Sequence, residues 1–229
     1  MKQSLKLLVI AALIAIVGPA YAGTANGVYI DQIGSNSNLT VTQTGAGNQL
    51  GSDQAHATFD GNSQNISISQ IGGSNIGVFT INGIGAVVNS TVTGSLNNVT
   101  VTCGTDSGSA CTDTNITADV TGSSNTVTTN ADSKSTISTT VTGDSNTVGI
   151  DSKTTNLLGA RATVNVSGGN GNNVSVSQNG TAGASGFEAD VAVVGASNTV
   201  GVTQSGTIDS TVKVTSTGSN NNITVTTGN

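Results

Sequence analysis

Apolar residues along this chain come in short alternating runs, broken by a recurring four-residue punctuation. In Leu39-Thr40-Val41-Thr42-Gln43, Val99-Thr100-Val101 and Val200-Gly201-Val202, every second side chain is apolar or an amide, with Thr, Ser, Asn, Gly or Asp mostly between. Period-two alternation is the pattern of a β-strand with one buried face. Between runs stand Gly, two variable residues and Asn: Gly45/Asn48, Gly72/Asn75, Gly94/Asn97, Gly122/Asn125, Gly143/Asn146, Gly169/Asn172, Gly195/Asn198 and Gly218/Asn221. The glycine-to-glycine steps are 27, 22, 28, 21, 26, 26 and 23 residues, a spacing typical of repeat architectures. Apolar residues sit two and four positions before the glycine, as with Ala118 and Val120 or Val191 and Val193. They sit two and four positions after the asparagine, as with Val174 and Val176 or Ile223 and Val225. A disordered chain would not hold this phase across successive corners.

The pattern predicts an all-β fold, a β-solenoid of about eight two-stranded coils with Gly-x-x-Asn corners. With stacked strands ~4.8 Å apart, that is a rod of roughly 40 Å. Glycine suits a corner because it adopts φ > 0. Asparagine at a fixed offset can bond its own turn and its counterparts in adjacent coils as a ladder. Val164 and Val166 are in phase with Gly168 rather than Gly169, which predicts a one-residue insertion. Wider corners are expected at Gly34/Asn38 and Gly61/Asn65, where segments 34–48 and 61–75 align without a gap. Second turns of variable length are expected near 51–60, 82–87, 103–115, 130–136, 151–162, 178–189 and 205–211.

Composition agrees with a thin core. Aromatic residues make up 2% of the chain and Trp is absent, whereas large rings dominate the core of an ordinary domain. Lys2 and Lys6, the apolar run 7–17 and Ala20-Tyr21-Ala22 form the n-region, h-region and cleavage site of a signal peptide over 1–22. The expected solenoid domain is 23–229, with no membrane span after cleavage, since no other stretch reaches ~18 apolar residues. Lys134, Lys153, Arg161 and Lys213 remain against twelve acidic residues. This balance argues against nucleic acid as a partner, because phosphate attraction is missing.

Several units read Gln-x-Gly-x-x-Asn, as in segments 43–48 and 70–75, and Gln32 likewise precedes Gly34 by two. Six residues past an asparagine a second Gln recurs, at Gln54, Gln178 and Gln204. This resembles the curlin repeat of curli amyloid subunits, in rhythm over 28–227 and in motif around 32–75, 172–180 and 198–206. The resemblance implies a bacterial, secreted subunit that polymerises into biofilm fibres. Its implied partners are other copies of itself, a nucleator subunit and an outer-membrane secretion channel. Gln43, Gly45, Asn48, Gln54, Gln70, Gly72, Asn75, Asn172, Gln178, Asn198 and Gln204 match the family's ladder positions. The middle of the chain departs: Val92, Val120, Val141 and Val193 stand at the first Gln position, and Cys103, Ala131 and Ser152 at the second.

Little in the sequence carries reaction chemistry, and neither an enzyme nor a cofactor or metal is expected. The one histidine, His56, lies in a variable turn near Asp53 and Asp60, without an activated nucleophile. Segment 168–173 has the glycines of a calcium nonapeptide, but Asn173 stands at its acid position and the element does not recur. Asp106 and Asp113 read as solvated loop acids. Glu188 and Asp190 share one strand face without the partner that glycoside hydrolysis needs. Cys103 and Cys111, the only cysteines, are expected to form a local disulfide in an exported chain. An alternative function is a non-polymerising solenoid with a Thr-rich ice-binding or adhesin face, on the pairs Thr40/Thr42, Thr100/Thr102, Thr126/Thr128 and Thr224/Thr226.

Overall fold

A computed structural model describes residues 25–104, 111–131, 134–154, 160–180, 187–206 and 210–228. The expected signal peptide, Asp106 and parts of several variable turns lie outside the described residues. Every regular element among the described residues is a β-strand. The first nine are β1 (Gly27–Val28), β2 (Ile30–Ile33), β3 (Asn38–Thr44), β4 (Gln49–Leu50), β5 (Ala57–Asp60), β6 (Asn65–Gly73), β7 (Ile76–Asn82), β8 (Val87–Ser95) and β9 (Asn98–Cys103). Then follow β10 (Asn115–Thr121), β11 (Thr126–Ala131), β12 (Thr136–Thr142), β13 (Thr147–Thr154) and β14 (Arg161–Ser167). The last are β15 (Asn173–Gly180), β16 (Glu188–Val194), β17 (Thr199–Gly206), β18 (Thr211–Thr217) and β19 (Asn222–Thr227).

The chain is a parallel β-solenoid. One sheet runs β1-β4-β7-β9-β11-β13-β15-β17-β19, with β2 and β5 paired beside its first strands, and the other runs β3-β6-β8-β10-β12-β14-β16-β18. From β5 onward successive strands alternate between sheets, and β1/β2 and β4/β5 are each one interrupted strand of the first sheet, so the strand one coil later lies parallel beside its predecessor. Register repeats without slip: Val99, Val127, Val148, Val174, Val200 and Ile223 are successive partners in the first sheet. The second sheet aligns Ile116, Ile137, Ala162, Ala189 and Val212. A one-residue slip would turn a whole apolar row to solvent, so this alternation itself fixes the register.

The inward rows of both sheets make one continuous apolar core, mostly Val, Ile and Ala. Each fully buried Val or Ile contributes about 1.5–3 kcal/mol, so stability accumulates coil by coil. Two of the three phenylalanines lie in it. Phe59 and Phe79 fill the N-terminal coils, and Phe187 packs with Ala160 in a satellite cluster.

The expected wide corners and one expected turn are corrected. Residues 51–56 interrupt a strand of the first sheet between β4 and β5, and the true corner follows at 61–64. Asn38 and Asn65 are the exposed first residues of β3 and β6. The residues that face inward at these corners are Ser37, half-buried, and Gln64, buried. At residues 168–172 the corner takes five residues instead of four. Val166 keeps register with both Val141 and Val193, and exposed Gly168 (φ 70°) takes up the extra length.

Candidate functional site: corner ladder and strand edges

The eight corner asparagines of the sequence repeat stack along one edge of the solenoid. Asn125 illustrates their bonding. Its backbone N–H and its Nδ2 both donate to Oδ1 of Asn97, at 3.0 and 3.1 Å. Nδ2 also donates to the Gly143 carbonyl at 2.7 Å. Oδ1 accepts from the backbone N–H and Nδ2 of Asn146, at 2.9 and 3.1 Å. Asn75, Asn97, Asn146, Asn172 and Asn198 repeat the double donation to the preceding asparagine. These side chains are at most 1% exposed. A buried amide is costly unless every donor and acceptor is met, and the stack meets them by translation along the rod.

The glycines of the same corners are required by the backbone. Gly94, Gly122 and Gly143 have φ of 126°, 127° and 112°. A Cβ on each would run into the carbonyl of the next corner's glycine. The third corner residue is left-handed, as at Ser74, Leu96, Ser124 and Ser145, with φ of 56–59°.

The ladder has a ninth member that the sequence reading missed. The Asn48 N–H donates to Oδ1 of Asn26 at 2.9 Å, and Nδ2 of Asn26 donates to the Gly45 carbonyl at 3.0 Å. The signal was present, since Gly23 precedes Asn26 by three residues. No alternating run leads into it, and the expected cleavage site adjoins it. At the other end Asn221 donates its N–H to Asn198 Oδ1 at 2.9 Å and turns Nδ2 to Ser216 Oγ and the Thr217 carbonyl. From Asn26 to Asn198 the ladder oxygens therefore accept from the coil on the C-terminal side, which makes the stack polar.

The glutamines fall into separate short stacks. Gln43 donates to Gln70 Oε1 at 2.7 Å, and Gln178 to Gln204 Oε1 at 2.8 Å. Gln70, Gln178 and Gln204 also cap backbone carbonyls of the opposite strand or corner. Gln32 is half-buried beside Phe59. Gln54 is a correction: it lies exposed in the interruption 51–56, outside any strand. The extra residues there shift the phase, and Phe59 takes the column that continues through Ile81, Cys103, Ala131, Ser152, Gln178, Gln204 and Thr227.

The opposite edge carries a second corner series. Its inward column reads Ser37, Gln64, Ala86, Thr114, Ser135, Ala160, Phe187 and Ser210, tied by bonds such as Asn65 N–H to the Ala86 carbonyl at 2.9 Å. Asn36, Ser63, Gly85, Asp113 and Lys134 are the left-handed residues there. This edge accepts varied side chains and carries the insertions.

Cys103 and Cys111 are joined by a disulfide and fully buried at that variable edge. Replacing both with Ala is expected to lower unfolding stability by roughly 2–3 kcal/mol, the chain-entropy value for so short a loop. Urea unfolding of parent and variant under oxidising conditions measures it, and a difference below ~0.5 kcal/mol contradicts a stapling role.

Among the described residues, no group of three His, Cys, Asp or Glu side chains is placed to hold a metal ion. His56 Nδ1 lies 3.0 Å from Asp31 at the surface. Arg161–Glu188 and Lys213–Asp190 are exposed cross-strand pairs at 3.5 and 3.7 Å. Exposed pairs of this kind contribute little. The Thr pairs are divided between faces, Thr40/Thr42 on the second sheet and the other three on the first. No single face collects all four pairs.

Among the described residues, the strands at both ends have open edges. Among the described residues, β18 and β19 bond only β16 and β17, while β1, β2 and β3 bond only β4, β5 and β6. The inward residues Val28, Ile30, Ile223 and Val225 are only partly buried. Comparison with family models, curated proteins and solved structures gave no match to this chain.

Proposed function

We propose that the chain is a secreted structural subunit that self-assembles into extracellular, amyloid-like fibres of the curli type, serving a biofilm matrix and adhesion. One observation carries this reading. Among the described residues, a polar ladder runs the length of the rod, the end strands β1, β2, β3, β18 and β19 each pair on one side only, and β1, β2 and β19 carry half-buried apolar side chains. Exposed parallel edges template further strands, and a heterologous contact between unlike ends propagates as an open filament. The Gln stacks at 43/70 and 178/204 and the Gly-x-x-Asn corners support the curlin resemblance. A nucleator and an outer-membrane channel are the partners that the resemblance adds.

The purified chain from residue 23 onward is expected to convert from monomer to unbranched filaments with a thioflavin signal and a ~4.8 Å meridional reflection along the fibre axis. Protein that stays monomeric by light scattering and electron microscopy at high concentration removes the proposal.

A further inference from the structure

The two ends of the solenoid are copies of one element on opposite sheets. Residues 27–43 and 211–227 align without a gap. Eight of the seventeen positions are identical, among them Gly34/Gly218, Asn36/Asn220, Asn38/Asn222 and the Thr-Val-Thr runs 40–42 and 224–226. The corner backbones agree as well, with φ of 116° and 57° at Gly34 and Asn36 against 99° and 59° at Gly218 and Asn220. Yet 27–43 passes from the first sheet to the second, whereas 211–227 passes from the second to the first.

The strand levels explain why this matters. β1 and β2 share one level, as do β4 and β5, so among the described residues the first sheet has nine levels and the second has eight. The first sheet overhangs at both ends. If a second copy stacked in the same orientation, β1 and β2 would sit on β19. The β18 of one copy and the β3 of the next would then lie two levels apart, about 9.6 Å. One strand would be missing from the second sheet at every junction, with backbone groups unpaired on both sides.

Turning the next copy by half a revolution about the rod axis removes the vacancy. Its β1 and β2 then lie on β18, and its β3 lies on β19. A half-turn about the axis also reverses strand direction, so both contacts stay parallel. The matched alignment sets the register. Leu39 and Val41 of the incoming copy continue the inward column of Ile223 and Val225, and Val28 and Ile30 continue that of Val212 and Val214. Ser37 takes the ladder place above Asn221.

Building on the fibre reading above, we propose that the partner of each end is a second copy of this chain rotated by 180°. First-sheet and second-sheet faces then alternate along each side of the filament. Each copy adds eight and a half levels, a rise of ~41 Å, and the filament repeats every second copy.

Co-assembly of two single-cysteine variants, each with the native disulfide intact, tests this. Copies carrying Thr224→Cys are mixed with copies carrying either Thr40→Cys or Tyr29→Cys, oxidised as filaments and run on a non-reducing gel. The half-turn places position 224 beside position 40 of the next copy. The unrotated stack places it beside position 29. A covalent dimer with Thr40→Cys and none with Tyr29→Cys is the expected result. The reverse pattern overturns the half-turn and leaves the fibre reading standing. Filaments that crosslink in neither mixture overturn the proposed end contact. Failure of every variant and of the parent to form filaments overturns both readings.

Discussion

Gly122→Ala is expected to prevent the solenoid from closing, while Gly201→Ala leaves it intact. A methyl at position 122 would overlap the Gly143 carbonyl of the next corner and approach Asp144 Oδ1 at 3.0 Å. Both Gly122 and the carbonyl are backbone held by stacking above and below, so no side chain can swing aside. The φ of 127° is also strained for any residue with a Cβ. Together these are expected to cost at least about 4 kcal/mol, comparable with the whole stability of many domains. Gly201 has nothing within 4 Å of an added Cβ and lies mid-strand on the outward face. Ala there is expected to be neutral, and Thr to stabilise by roughly 0.5–1 kcal/mol through strand preference. Urea unfolding of the freshly purified monomer, with circular dichroism for folding itself, separates the cases. A Gly122→Ala chain within 1 kcal/mol of the parent would mean that the corners do not stack as described.

The fold was legible where side-chain identity and geometry coincide. Asparagine at the fourth corner position is set by a bonding pattern that no other residue reproduces, so it repeats and can be counted. The alternating Val and Ile of β15 and β17 were equally plain, because burial on one face leaves little other choice. The opposite corners were obscure for the converse reason. Their inward column accepts Ser, Gln, Ala, Thr and Phe, and their left-handed position accepts Asn, Ser, Gly, Asp and Lys. Counting from Asn48 also misplaced Gln54, because phase cannot be carried through an interruption such as 51–56. Gly77 shows the same limit. It stands in an inward column that Val fills elsewhere, because the Phe79 ring and Leu50 occupy the space of its missing side chain. Only the packed structure reveals that exchange of volume between neighbours. The polar direction of the ladder, and with it the distinction between the two ends, also required the hydrogen bonds themselves.

Asn125→Ala is expected to destabilise the monomer by about 3–6 kcal/mol. The substitution keeps the backbone N–H bond to Asn97 but deletes every bond of the side chain. Asn146 loses the acceptor of its N–H and of one Nδ2 proton, and the Gly143 carbonyl loses its donor. Each of these groups is left in a dry interior, at about 1–3 kcal/mol apiece. Asn38→Ala removes an asparagine of the exposed row and is expected to change stability by less than ~0.5 kcal/mol. The stronger test is coupling. In the double variant Asn125→Ala with Asn146→Ala, the Asn146 side chain orphaned by the first change is removed by the second. The combined loss should therefore fall short of the sum of the two single losses by at least about 1 kcal/mol. Asn75→Ala with Asn172→Ala, which share no partner, should add. Additive losses for the neighbouring pair would show that the asparagines act as independent buried amides, and the ladder would lose its standing as the cooperative element that one copy could extend into the next.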